Sequence, residues 1–146
     1  MKTVTFKKWL PALSVAITLA WAGPATASTW SVAEPPQAEF NDIRIATSEG
    51  TWMSVDISPD GQWVVFDMLG DIYRMPASGG DAELLRGGVA WNMQPTYSPD
   101  GQYIAYTSDE NGGDNIWGMK ADGSEAWAVT NENFRLVNSP AWCPDG

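Results

Sequence analysis

With 146 residues, 18 of them acidic, 8 basic and none histidine, the chain carries a formal net charge of −10 at pH 7. Such a surface repels nucleic acid and anionic membrane alike. The missing imidazole takes away the usual base of Ser-His-Asp hydrolases and the commonest zinc ligand, and the single cysteine, Cys143, excludes an internal disulfide.

Residues 1–27 are unlike the rest. Lys2, Lys7 and Lys8 precede an apolar stretch from Trp9 to Trp21, and Ala25-Thr26-Ala27 places small residues where a signal peptidase reads. This pattern predicts a Sec-type secretory signal peptide cut between Ala27 and Ser28, and so a periplasmic or secreted protein. Pro11 and Pro24 bracket a stretch shorter than the roughly 20 apolar residues of a bilayer span, so no membrane span is expected after cleavage. Neither a twin arginine nor a cysteine at the cleavage point is present to signal folded export or a lipid anchor. Loss of the three lysines takes the net charge from −10 to −13. The acidity reads as solubility, since no D-x-D-x-D-G calcium loop occurs.

Residues 28–42, with Pro35-Pro36, read as a flexible leader. The propeller-like pattern begins at residue 43. Ile43 to Thr47 matches the last strand of a repeat whose first three strands are missing upstream, so it is expected to pair with a strand from elsewhere.

The next stretch organises the chain. Ser58-Pro59-Asp60-Gly61-Gln62 followed by Trp63-Val64-Val65-Phe66 recurs as Ser98-Pro99-Asp100-Gly101-Gln102 followed by Tyr103-Ile104-Ala105-Tyr106. Proline presets the second position of a type I turn, aspartate folds onto nearby backbone, and glycine takes the left-handed conformation that closes a hairpin. Gly70-Asp71-Ile72-Tyr73-Arg74-Met75 and Gly113-Asp114-Asn115-Ile116-Trp117-Gly118-Met119 then read as paired third strands. Polar turns and last strands follow at Ala82-Glu83-Leu84-Leu85 and Ala126-Trp127-Ala128-Val129-Thr130. Four short strands per period of about forty residues is the spacing of a propeller blade. Blades are expected at about 50–86 and 90–130, with a third beginning at about 136 and reaching its turn at Pro144-Asp145-Gly146. Removing 27 of 146 residues leaves 119, fewer than three blades where a ring takes about four to eight. The chain is therefore expected to be the opening of a longer protein, with further blades as its first partners.

Of the tryptophans beyond the signal, Trp63 matches Tyr103, Trp117 matches Tyr73 and Trp142 matches Tyr97, so packing between blades is favoured over an aromatic ligand platform. Trp30, Trp52, Trp91 and Trp127 complete the set. Asp71 and Asp114 recur after a glycine and are expected to accept hydrogen bonds from turn backbone rather than to face a channel as ligands. Asp109-Glu110-Asn111 reads as a solvated loop tip, and Cys143 as a small-residue replacement of the turn serine.

These residues resemble the TolB-like propeller repeats, in which S-P-D-G opens a hydrophobic strand and a strand reading approximately D-I-W or D-L-Y follows. The resemblance covers residues 43–146 and implies an all-β fold: a partial β-propeller of two blades with incomplete blades on either side. The run Glu49-Gly50-Thr51-Trp52-Met53-Ser54-Val55-Asp56 ahead of the first turn looks most like the amino-terminal propeller of exported amidohydrolase-linked proteins. That resemblance implies a scaffold or substrate-gating domain, with a divalent metal held only in a downstream hydrolase domain. Such propellers also occur as envelope docking proteins of the Tol-Pal type and ahead of prolyl-oligopeptidase-type peptidases. No catalytic, cofactor-binding or metal-binding residue is expected in this chain: it has no histidine, no G-x-S-x-G elbow and no phosphate loop.

Overall fold

The computed structural model describes Val32 and residues 45–146. The signal peptide, Trp30, all of the leader but Val32, and the first two residues of the orphan strand lie outside them. Residues 45–47 of that strand carry no strand pairing and are exposed.

Among the described residues, eight strands form two four-stranded antiparallel sheets, each in sequential order. The first contains β1 (Val55–Ile57), β2 (Trp63–Met68), β3 (Asp71–Pro76) and β4 (Glu83–Arg86). The second contains β5 (Asn92–Tyr97), β6 (Tyr103–Ser108), β7 (Asn115–Lys120) and β8 (Trp127–Ala128). The first sheet thus runs over residues 55–86 and the second over residues 92–128.

Each S-P-D-G segment builds one turn in atomic repeat. The Gly61 N–H donates to the Ser58 carbonyl at 2.8 Å, and the Gly101 N–H to that of Ser98 at 2.9 Å. Both glycines are left-handed, with φ of 69° and 72°. Each serine hydroxyl donates to the aspartate two residues on and accepts the N–H of the first residue of the next strand, at 2.9 Å from Trp63 and from Tyr103. At the carboxyl end the Gly146 N–H meets the Cys143 carbonyl at 3.0 Å, so the third copy makes the same backbone turn without the hydroxyl.

The sheets stack face to face around one apolar cluster. Val65 and Ile72 of the first sheet meet Tyr97, Ile104, Tyr106, Trp117 and Met119 of the second. Strand alternation explains the choice: Val65 and Arg74 are cross-strand partners on the inward face, whereas Val64 pairs with Met75, and Phe66 with Tyr73, on the outward face.

The register corrects one expectation. Ser108 pairs with Asn115 as Met68 pairs with Asp71, so Asn115, and not Asp114, is the counterpart of Asp71. The loop ahead of β7 is longer than the turn ahead of β3, which displaces the D-N pair by one residue. Asp71 accepts the Gly88 N–H at 3.3 Å, and buried Asn115 accepts the Glu132 N–H at 2.7 Å, fastening each third strand to the segment after the fourth. Asp114 contributes its backbone carbonyl to the Val137 N–H at 3.0 Å.

Candidate functional site

Among the described residues, clefts open between the blades at both ends of the strands. At the S-P-D-G end, a cleft of 460 Å³ is lined by Trp63, Arg74 and Tyr97 together with both turns. The Arg74 guanidinium lies 4.6 Å from the Trp63 ring centroid, donates to Glu83 at 2.8 Å and reaches across to the Ala121 carbonyl at 3.1 Å. The stacking on Trp63 and the bond to Glu83 order Arg74 within the first blade, and the bond to Ala121 carries it across to the second. Donation from Ser58 to Asp60 and from Ser98 to Asp100, then from the Gln62 and Gln102 N–H groups, holds both carboxyls below the usual aspartate value. This end works as a joint.

Two carboxylates that sequence reasoning missed also tie the blades, Asp67 at the other end and Asp56 nearer the S-P-D-G turns. Asp67, buried in β2, accepts the Ser54 N–H at 2.9 Å within its own blade and the Gln94 N–H of the next at 2.6 Å. Asp56 likewise accepts the Tyr97 N–H at 2.8 Å and the Thr96 hydroxyl at 3.0 Å. Gln94 passes the connection on: its side-chain oxygen accepts from the Thr107 hydroxyl at 3.0 Å and from the Ser139 N–H at 2.8 Å. Gln94 and Ser139 both precede a proline and both hold φ at 57°, so the same strained backbone serves each joint. The signal for Asp67 was an acid in the inward register of Trp63 and Val65, where an uncommitted charge would be costly.

Around this clamp lies a cleft of 440 Å³ whose lining includes Trp52, Leu69, Trp91 and Asn92. The three apolar side chains stand in solvent, with relative exposures of 102% for Trp52, 67% for Leu69 and 54% for Trp91. Trp52 lies two residues before Ser54, which bonds Asp67, and Trp91 lies two residues before Met93, which faces Thr107. They therefore hold one position in the two blades. Repetition here marks an exposed rim, whereas Trp117 is buried as predicted, Trp63 packs on the core, and the Trp142 indole N–H donates to the Thr96 carbonyl at 3.1 Å. Trp127 is half-exposed and covers Gly118.

The acidic loop tip is also less free than expected. Asp109 accepts the Trp91 N–H at 2.7 Å, and Glu110 forms an ion pair with Arg86. Burial pushes the neighbouring Tyr106 phenol up to about 12, with the Arg86 charge opposing it and Glu110 adding to it. Cys143 is exposed at its turn.

No family model matches the chain. An uncharacterized protein of Agrobacterium fabrum is 35% identical over 81 residues, which is 53% of this chain and 28% of that protein. A solved structure assigned as TolB from Agrobacterium tumefaciens is 29% identical with a TM-score of 0.62, over 68% of this chain and 37% of the other. TolB from Acinetobacter baumannii is 25% identical with a TM-score of 0.47, over 57% and 22% of the respective chains. The chain thus spans about a third or less of the length of these relatives. Its fold is that of a TolB-like β-propeller, represented by two complete blades.

Proposed function

We propose that this chain is the opening sector of an exported β-propeller that acts as a scaffold and access-gating domain, joined to a downstream metal-dependent amidohydrolase domain. The observation that carries the propeller part is the outward face of the first sheet. Val55 and Ile57 are exposed there, and a cleft of 550 Å³ is lined by Val64, Phe66, Met68 and Met75. An apolar face of this kind is what a neighbouring blade covers in a radial repeat. The hydrolase link rests on the resemblance of the run from Glu49 to Asp56. The same resemblance would put the metal in the downstream domain.

The test is the full-length protein. Under this reading its structure shows a further blade seated on Val55, Val64 and Met75, and its hydrolysis of amide substrates is abolished by a chelator and restored by divalent metal. A protein with only further blades and no such activity removes the enzyme link.

A second reading, an envelope docking propeller of the Tol-Pal type, is favoured by the likeness to the structure assigned as TolB. It predicts stable co-purification of envelope proteins with the intact protein and no hydrolytic activity.

A further inference from the structure

The turn joining β2 to β3 has two residues, Leu69 and Gly70, with φ of 56° and 86°. Two consecutive positive φ values make a type I′ hairpin turn, whose first position favours asparagine, aspartate or glycine. Leucine there bears backbone strain and also exposes its side chain to water. Trp52 repeats the combination, with φ of 58° and full exposure. Of the five non-glycine residues with positive φ among the described residues, Trp52, Leu69 and Gln94 all line the 440 Å³ cleft. The φ of Gln94 goes with its bond to Asp67 and that of Leu69 with the tight β2–β3 turn, while that of Trp52 serves no hydrogen bond among the described residues. Strain concentrated at an exposed apolar rim is a mark of binding.

The lining also indicates which ligand. It carries one carboxylate, Asp67, and no cation. The Asn92 side chain is 1% exposed; its amide group donates to the Gly70 and Ala90 carbonyls, but its oxygen has no partner among the described residues. A buried acceptor left unsatisfied is costly, so the cleft calls for a hydrogen-bond donor. The basic residues of the two sheets are already committed, Arg74 to Glu83, Arg86 to Glu110 and Lys120 to Glu125. Aromatic faces, a carboxylate, an unmet acceptor and an acidic chain together suit a cation on an apolar stem.

We propose that this cleft binds a lysine- or arginine-bearing segment of a protein partner, with the cationic head directed to the Asn92 oxygen and the Asp67 carboxylate and its stem laid along Leu69 and Trp91. The inference rests on reading the chain as part of a recognition propeller.

The experiment titrates the full-length protein, followed by tryptophan fluorescence, with a capped peptide of alternating lysine and alanine, the same peptide with glutamate in place of lysine, and spermine. The basic peptide is expected to bind, with affinity falling as salt rises, the acidic one not to bind, and spermine to bind more weakly for want of backbone contacts. Trp52→Ala and Trp91→Ala are each expected to weaken binding about three- to tenfold. Leu69→Asn separates this role from a structural one. It relieves the turn and should raise the melting temperature while lowering affinity, whereas a purely structural residue would leave affinity unchanged. Equal or absent binding of the two peptides, binding of spermine as tight as that of the basic peptide, or unchanged affinity in Leu69→Asn and Trp91→Ala overturns the proposal. Absent peptide binding in a protein whose further blades are seated on the first sheet overturns this inference alone; absent further blades overturn the propeller reading as well.

Discussion

The Asp67 carboxylate of one blade accepts the Gln94 N–H of the next at 2.6 Å, while its other oxygen takes the Ser54 N–H of its own blade at 2.9 Å. One buried side chain thus ties the first strands of two sheets. Asp67→Ala leaves two backbone N–H groups without their acceptor and should cost about 2–4 kcal/mol in urea unfolding of the intact protein. Asp67→Asn keeps an acceptor oxygen and should cost less. Equal losses for the two substitutions would show that packing, and not hydrogen bonding, holds this joint.

The turn serine makes a second prediction. Ser98 is buried, and its hydroxyl accepts the Tyr103 N–H at 2.9 Å while donating to Asp100, so Ser98→Ala should cost about 1–2 kcal/mol. The Asp100 carboxyl lies below its ordinary value because Ser98 and then the Gln102 N–H donate to it. A depressed carboxyl contributes stability above the unfolded value of about 4, and that contribution is lost as pH falls through the folded one. Acid titration of unfolding free energy should therefore be less steep in Ser98→Ala than in the parent.

Tyr106 acts at the alkaline end. Its folded value of about 12 exceeds the ordinary 10.0, so the folded state keeps a proton that the unfolded chain gives up. Its contribution is complete below pH 10 and is lost as pH rises towards 12, amounting to about 2 kcal/mol at the upper limit. Burial also raises Tyr73 and Tyr97. The difference between the parent and Tyr106→Phe isolates Tyr106, and parallel stability curves above pH 10 would refute the assignment.

Gly118 tests the packing of β7. A methyl group there would lie 2.6 Å from a ring carbon of Trp127, whose indole meets Tyr103 edge-on at 5.8 Å. Gly118→Ala should displace that ring, cost about 1–3 kcal/mol and change the near-ultraviolet circular dichroism. Trp127→Ala added to it should recover most of the clash, leaving a double variant more stable than the sum of the single losses implies.

The two S-P-D-G turns, the strands behind them and the four-strand period were legible because each depends on residues within a few positions of one another. What binds the blades together was not. Asp56 meets Tyr97 and Asp67 meets Gln94 only after two sheets have stacked, and no local spacing encodes the meeting. The displaced counterpart of Asp71 shows the same limit: Asp114 keeps the letter of the motif, but the longer loop ahead of β7 hands the role to Asn115. Matching aromatic positions identified the packing of Trp63 and Trp117 correctly. They concealed the opposite fate of Trp52 and Trp91, which share a position in the fold but not a spacing of forty residues.

The linkage through Gln94 has a direction. Its amide is received by the blade made before it, and its side chain receives the amide of Ser139 from the segment made after it. A polypeptide emerging amino terminus first from a ribosome or a translocation pore would find each socket finished just before the plug that needs it arrives. Closing a ring in that sequence calls for no search among blades, only for docking of each newcomer onto its predecessor.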